Sequence, residues 1–166
     1  MVREINKSRC PICEQEGRTV QIFTVQALMK AESLSNIRDG DYLFCANADC
    51  SVVYYAASAD LVFQKESLKI RVGLKEKEAP RPVCYCFGYT IEDIQREIQE
   101  TGKSTFEEVI SNKIEAGLCH CEDANPEGRC CLGNVAIAVI RALQLHHTNQ
   151  DETVPLAGTL DCCNQE

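Results

Sequence analysis

The spacing of apolar positions changes about halfway along the chain. In the first half, apolar residues come in short runs rich in β-branched and aromatic side chains. These are Val20–Val25, Tyr42–Phe44, Val52–Tyr55 and Leu68–Val72, separated by polar or glycine turns such as Asp39-Gly40-Asp41. Runs of that length and composition predict strands. The stretch Gln26–Ile37 fits a short helix and an irregular loop equally. From residue 90 onward the apolar residues fall three and four apart, the period of a helix. Thr90 is placed to cap a helix carrying Ile91, Ile94 and Ile98, with Gly102 as its end. Ser104-Thr105-Phe106-Glu107 has the form of a capping box. It opens a second helix with Phe106, Val109, Ile110 and Ile114 on one face, stopping near Gly117. A third helix starts near Cys131 or Leu132 and runs to about His147. Its stretch Val135–Leu145 is almost all apolar apart from Arg141 and Gln144, which predicts that most of it is buried. From Thr148 to Glu166 the chain is polar and acidic and reads as a flexible tail.

The fold class is therefore α+β, a small strand-rich domain over residues 1–79 followed by a helical domain over 80–147 and an acidic tail over 148–166. Charge divides the chain at the same place. Residues 1–83 carry 12 Lys and Arg against 11 Asp and Glu, whereas residues 84–166 carry 5 against 14. The break falls at Ala79-Pro80-Arg81-Pro82, a stiff two-proline connector. A net charge of -8 argues against nucleic-acid binding, which needs a basic stripe. The longest apolar runs, Val52–Ala57 and Val135–Ile140, fall far short of the ~20 residues that span a bilayer, so no membrane insertion is expected. Met1–Lys7 has no apolar core of a secretory signal. The expected location is the cytoplasm, where thiols stay reduced and many cysteines point to metal or redox chemistry rather than disulfides.

That matters because 12 of the 166 residues are cysteine, and every one has a near partner. Two thiolates on one short segment reach one site at little cost in loop entropy, so paired spacing is the spacing of chelation. Cys10-Pro11-Ile12-Cys13 is a C-x2-C turn, and after thirty-one intervening residues Cys45 and Cys50 form a C-x4-C. Two such knuckles in a small strand-rich domain suit one tetrahedral zinc held by Cys10, Cys13, Cys45 and Cys50. Such a staple stabilises a core too small to stand alone. No histidine lies in this half. Asp49 is a reserve oxygen ligand.

The second half offers Cys84-Tyr85-Cys86 and, after thirty-two intervening residues, Cys119, Cys121, Cys130 and Cys131. Four thiolates from two loops hold a [2Fe–2S] cluster, and a second zinc site is the alternative. Cys84 and Cys86 are the first two ligands. Cys119 is the third by spacing, with Cys121 as its rival. Cys131 is the fourth, with Cys130 as alternate. His120 could replace a cysteine, as histidine does in Rieske centres, but reads more simply as a loop residue. Cys162 and Cys163 are vicinal thiols in the tail, able to capture a soft ion such as Cu(I). His146 and His147 read as polar residues at a helix end.

Three stretches of the second half carry a resemblance: Cys84-Tyr85-Cys86-Phe87-Gly88-Tyr89-Thr90, the run from Thr101 to Thr105, and Asn125-Pro126-Glu127-Gly128-Arg129-Cys130-Cys131-Leu132-Gly133. Together with the Cys10 turn and the stretch Phe44–Tyr54, they resemble the N-terminal region of CopZ copper chaperones over roughly residues 8–145. The resemblance implies a zinc domain followed by a BFD-like [2Fe–2S] domain, akin to the bacterioferritin-associated ferredoxins. In that ferredoxin family the cluster cysteines end in a C-x2-C pair, which a longer loop replaces here. Family members usually continue into a heavy-metal domain with its own C-x2-C copper motif, and no C-x2-C follows Cys13 in this chain. The function implied is copper handling by one-electron transfer, reducing Cu(II) to Cu(I) for delivery. Copper ions are the expected cargo, and a copper-transporting ATPase or a redox protein with a basic docking face is the expected partner. A redox or metal sensor, or a ferredoxin-like carrier without copper, is the alternative. No phosphate loop and no separate Cys–His nucleophile argue for an enzyme.

Overall fold

The computed structural model describes residues 8–151. In chain order its elements are β1 (Arg18–Val20), α1 (Ile22–Leu28), α2 (Ala31–Leu34), β2 (Tyr42–Phe44), β3 (Val52–Ala56) and β4 (Val62–Gln64), then β5 (Pro82–Cys84), β6 (Tyr89–Thr90), α3 (Ile91–Thr101), α4 (Phe106–Glu115), α5 (Cys121–Ala124) and α6 (Leu132–Asp151). Helix and sheet are thus mixed. The first four strands form one antiparallel sheet in the order β1-β2-β3-β4, with Leu43 opposite Tyr55 and Phe44 opposite Tyr54.

The central strands are buried on both faces; β2 alternates between them with a period of two, and an irregularity between Val52 and Tyr54 interrupts that alternation in β3. Tyr42, Phe44, Tyr54 and Phe63 join Val25 of α1 in one core. Leu43, Val52 and Tyr55 pack with Cys10, Cys45 and Cys50 in another. Cys45 directly follows β2 and continues its alternation onto the Leu43 face. Its N–H donates to the Val53 carbonyl at 2.9 Å, which extends the ladder to the ligand itself.

In the second half, α3, α4 and α6 pack around Ile94, Ile98, Ile110 and Val135, all nearly inaccessible to water. Thr90 and Asp93 make a reciprocal capping box at the start of α3, and Gly102 ends that helix with a left-handed φ of 74°. β5 and β6 form a short hairpin.

Several sequence expectations are corrected. The run Val20–Val25 is not one strand, because the chain turns helical after Val20. Val25 and Leu28 lie one turn apart on the buried side of α1, and the buried Thr24 hydroxyl donates to the Glu122 carbonyl at 2.6 Å. That partner is 98 residues away, so tertiary contact overrides local propensity. Leu68–Val72 is held by a single bridge between Leu68 and Met29 rather than a strand, and the edge strand is Val62–Gln64. The capping box expected at Ser104–Glu107 does not form. The Thr105 hydroxyl instead donates to Glu97 of α3 at 2.6 Å, tying the two helices together. Val109 turns out of the shared face. On α6, Val135, Ala138, Val139 and Ala142 are buried while Ile137, Ile140 and Leu145 are exposed, so one stripe packs and not the whole helix. That helix also runs to Asp151, past the expected end at His147 and the tail boundary at 148.

The halves share a polar seam. Arg18 of β1 donates to the buried Glu127 carboxylate at 2.6 Å, and the Tyr54 hydroxyl donates to the Pro126 carbonyl at 2.7 Å. Gly128 adopts a φ of 63°, and a Cβ there would lie 2.9 Å from the Thr24 hydroxyl, so a side chain would meet both strain and crowding.

Candidate metal centres

The first centre is built by two turns facing one sheet face. In the Cys10–Gln15 turn, the Cys10 N–H donates to the Gln15 carbonyl and the Glu14 N–H to the Cys10 carbonyl, both at 2.9 Å. The Cys45–Cys50 turn is pinned by Asn47, whose side-chain oxygen accepts from the Asp49 N–H at 3.0 Å. The sulfurs of Cys10, Cys13, Cys45 and Cys50 all lie within 4.8 Å of one another. Cys10 and Cys50 are 3.9 Å apart, and Cys13 and Cys45 are 3.6 Å apart. Four thiolates at ~2.3 Å from a tetrahedral zinc stand ~3.8 Å from each other, so these two separations match that ion. The reserve ligand Asp49 is turned away, exposed and 3.6 Å from Lys77.

Lys75 belongs to this centre, and the sequence did not single it out. Its ammonium is buried and donates to the carbonyls of Asn47 and Cys50 at 2.7 and 3.1 Å. It also sits 5.9 Å from the centre of the Phe44 ring. A buried cation behind the knuckle offsets the negative charge of four thiolates. In sequence it is one of several lysines in a charged stretch, with nothing to set it apart. The thiols differ in acidity. Burial pushes Cys45 up to about 12. Burial opposes the Cys13 thiolate too, but hydrogen bonds from the Gln15 backbone, Asn47 and neighbouring thiols bring Cys13 down to about 7.

The second centre draws on three places. Cys84 ends β5 and Cys86 follows it in the hairpin loop. Cys119 lies in the connection from α4 to α5, and Cys121 opens α5. Cys131 immediately precedes α6, where its carbonyl accepts from the Val135 N–H at 3.0 Å. Cys84, Cys121 and Cys131 are buried within the helical core, and Cys86 and Cys119 are half-buried. The sulfurs fall into two sets. Cys131 and Cys84 are 3.0 Å apart. Cys86, Cys119 and Cys121 form a separate compact group, with Cys86 and Cys119 each 3.3 Å from Cys121 and 4.0 Å from each other. Cys130 is exposed and outside both sets.

This arrangement differs from the first quartet in kind. An all-sulfur donor set made of one close pair and one close trio can offer two thiolates to each iron of a two-iron group, with one sulfur of the trio to spare. The surroundings suit an anionic site. The His120 N–H donates to Cys86 sulfur at 3.3 Å. The Lys113 ammonium lies 4.8 Å from the centre of the Phe87 ring and donates to the Tyr89 hydroxyl at 2.8 Å. The Cys131 hydrogen bond, with help from Lys113, lowers Cys84 to about 7, and the same contact together with burial pushes Cys131 up. Lys113 was also not legible in sequence. The His120 ring pairs with Asp123 at 2.8 Å in solvent and faces none of the sulfurs as a ligand. His146 and His147 lie together on α6, and neither joins a group of metal-capable side chains among the described residues. Cys162 and Cys163 lie outside the described residues.

Comparison with known proteins bears on the first of these centres. Residues 7–69 match the CopZ family described as a zinc binding domain. The copper chaperone CopZ of Archaeoglobus fulgidus is 41% identical over 124 residues, which are 74% of this chain and 57% of that protein. The chain therefore spans a little over half the length of that relative. The X-ray structure of the A. fulgidus CopZ N-terminal domain superposes with a TM-score of 0.66 at 38% identity, covering 78% of this chain and 95% of that one. The chain belongs to the CopZ copper chaperone family and carries its zinc-binding domain.

Proposed function

We propose that the chain is a zinc-stapled electron-transfer protein of copper handling, with a BFD-like second half that holds a [2Fe–2S] cluster and passes single electrons. The observation that carries this reading is the division of the second thiol set into a close pair, Cys84 and Cys131, and a close trio, Cys86, Cys119 and Cys121, next to a first set that forms one compact quartet. When bound, a [2Fe–2S] cluster supplies a one-electron couple. One electron is what Cu(II) takes up to become Cu(I), the form that soft thiolates bind. Copper is therefore read as the cargo, which accords with the naming of the A. fulgidus relative as a copper chaperone.

The residues have separable tasks in this reading. Cys84 and Cys131 bind one iron, and Cys86 and Cys121 bind the other. Lys113 and the His120 N–H offset the negative charge of the site. The acidic second half suits docking to a basic face, either on a redox donor or on a copper-transporting ATPase, because complementary charge raises the encounter rate. We read the protein as a binding and electron-transfer protein of the cytoplasm rather than an enzyme. No helix among the described residues is long and apolar enough to cross a membrane.

The test is a titration. Protein reduced with dithionite and desalted anaerobically is mixed with Cu(II) in the presence of a Cu(I)-specific chromophoric chelator. The reading expects about one Cu(I) for each oxidised cluster, with recovery of the visible absorption. Cu(II) left untouched by the reduced protein removes copper reduction and leaves a carrier or sensor.

A further inference from the structure

The second centre has five thiols for four positions. Cys119 and Cys121 flank His120, whose backbone N–H donates to Cys86, so the three-residue segment wraps around one sulfur. Both flanking sulfurs reach that neighbourhood, with Cys119 at 4.0 Å and Cys121 at 3.3 Å from Cys86. They are themselves 3.3 Å apart. Their settings differ. Cys121 is buried, opens α5 and faces the Cys131 side of the site. Cys119 is half-buried and precedes α5, two residues beyond Gly117, which has a φ of 73°. The inner sulfur is held by a helix that packs on the other half of the molecule through the Thr24 contact. The outer one lies on a connecting segment that carries no such tie among the described hydrogen bonds.

We propose that Cys119 is an exchangeable fifth thiol ligand, poised beside Cys121 to take over its position on the iron. The inference rests on the [2Fe–2S] reading given above. In the exchange the iron–sulfur bond to Cys121 breaks, a bond to Cys119 forms, and the proton of the Cys119 thiol passes to the Cys121 thiolate. No electron is gained or lost. The centre then tolerates the loss or oxidation of its inner ligand.

The test compares the full chain with its Cys119→Ser, Cys121→Ser, Cys119→Ser/Cys121→Ser and Cys84→Ser variants, all purified anaerobically. Iron, sulfide and zinc are measured, and the native proteins are alkylated with iodoacetamide and mapped by mass spectrometry. Both single variants at 119 and 121 are expected to keep iron near the wild-type level with an all-thiolate visible spectrum. The double variant and Cys84→Ser are expected to lose most of it. In the wild type Cys119 is alkylated without release of iron, whereas in Cys121→Ser it becomes protected. Zinc retained in every variant shows that the chain has folded. Iron in the wild type but none in a zinc-loaded Cys121→Ser overturns the exchange and leaves the cluster reading intact. Loss of iron in Cys119→Ser alone, or a Cys119 equally reactive with and without Cys121, also overturns it. A wild type free of iron overturns both.

Discussion

The two cysteine centres solve different problems, and the difference lies in what surrounds the sulfur. In the first, the cysteines are half of the small core around them: Cys10, Cys45 and Cys50 share it with only Leu43, Val52 and Tyr55 as buried partners. Without a metal, four facing thiols offer little to offset the entropy of closing two turns separated by thirty-one residues. In the second, three buried cysteines sit in a core that already holds Ile94, Ile98, Ile110 and Val135. The first centre is therefore a structural staple whose ion is part of the fold. The second is a site set in a larger apolar core of its own, as would suit the electron-transfer group proposed for it.

The largest expected contrast comes from removing one ligand on each side. Cys45→Ser is expected to abolish zinc binding and unfold the first half, because apparent zinc stabilisation in small structural sites is on the order of 10 kcal/mol. Cys84→Ser is expected to lose iron yet keep the helical signal of α3, α4 and α6 in far-UV circular dichroism. Equal loss of structure in both would erase the distinction. Next, Ile94→Ala should cost about 3 kcal/mol in denaturant unfolding, since it removes a fully buried side chain from the second core. Glu127→Ala should cost about 2 kcal/mol, because that buried carboxylate accepts from Arg18, Arg129 and Asn134 where the halves meet. Thr90→Ala should cost about 1 kcal/mol through loss of the α3 cap.

Acidity sharpens the same comparison. Metal binding requires thiolates, so each centre should release protons on loading and lose metal as the pH falls. Cys45, raised to about 12, is protonated at neutral pH in the metal-free chain and must give up its proton. Cys13, at about 7, gives up only part of one. Zinc titration calorimetry in buffers of different ionisation enthalpy should show this release, with affinity falling as the pH falls across the neutral range and more steeply below about pH 7, where Cys13 is protonated as well. The capping carboxylate of Asp93 works on a different range. Its hydrogen bond from Thr90 lowers its folded pKa, so its contribution is fully present above the ordinary carboxylate range and is lost as the pH falls through the lowered folded pKa.

Much of this was legible in the sequence, for reasons that particular residues make plain. The Cys10, Cys13, Cys45 and Cys50 spacing pointed to one quartet, and the four sulfurs meet. Helical periodicity around Ile94, Ile98 and Ile110 located the second core, because local period and burial agree there. Spacing ranked Cys119 ahead of Cys121, whereas the fold sets Cys121 deeper, since distance along the chain does not report which way a turn before α5 points. Thr24 defeated the strand reading because its partner carbonyl lies on α5. Lys75 and Lys113 were invisible because a buried lysine differs from a solvated one only in its neighbours. The exposed Ile137, Ile140 and Leu145 show the converse, apolar residues in a helix that needs only one buried stripe.

The central claim is that two unlike metal groups occupy these two unlike thiol sets. Metal and sulfide analysis of anaerobically purified protein, with the visible spectrum before and after dithionite, tests it most directly. The account predicts about one zinc, two irons and two sulfides per chain, with [2Fe–2S] absorption that bleaches on reduction. Zinc in both centres, with no iron or sulfide under strict anaerobiosis, would contradict it.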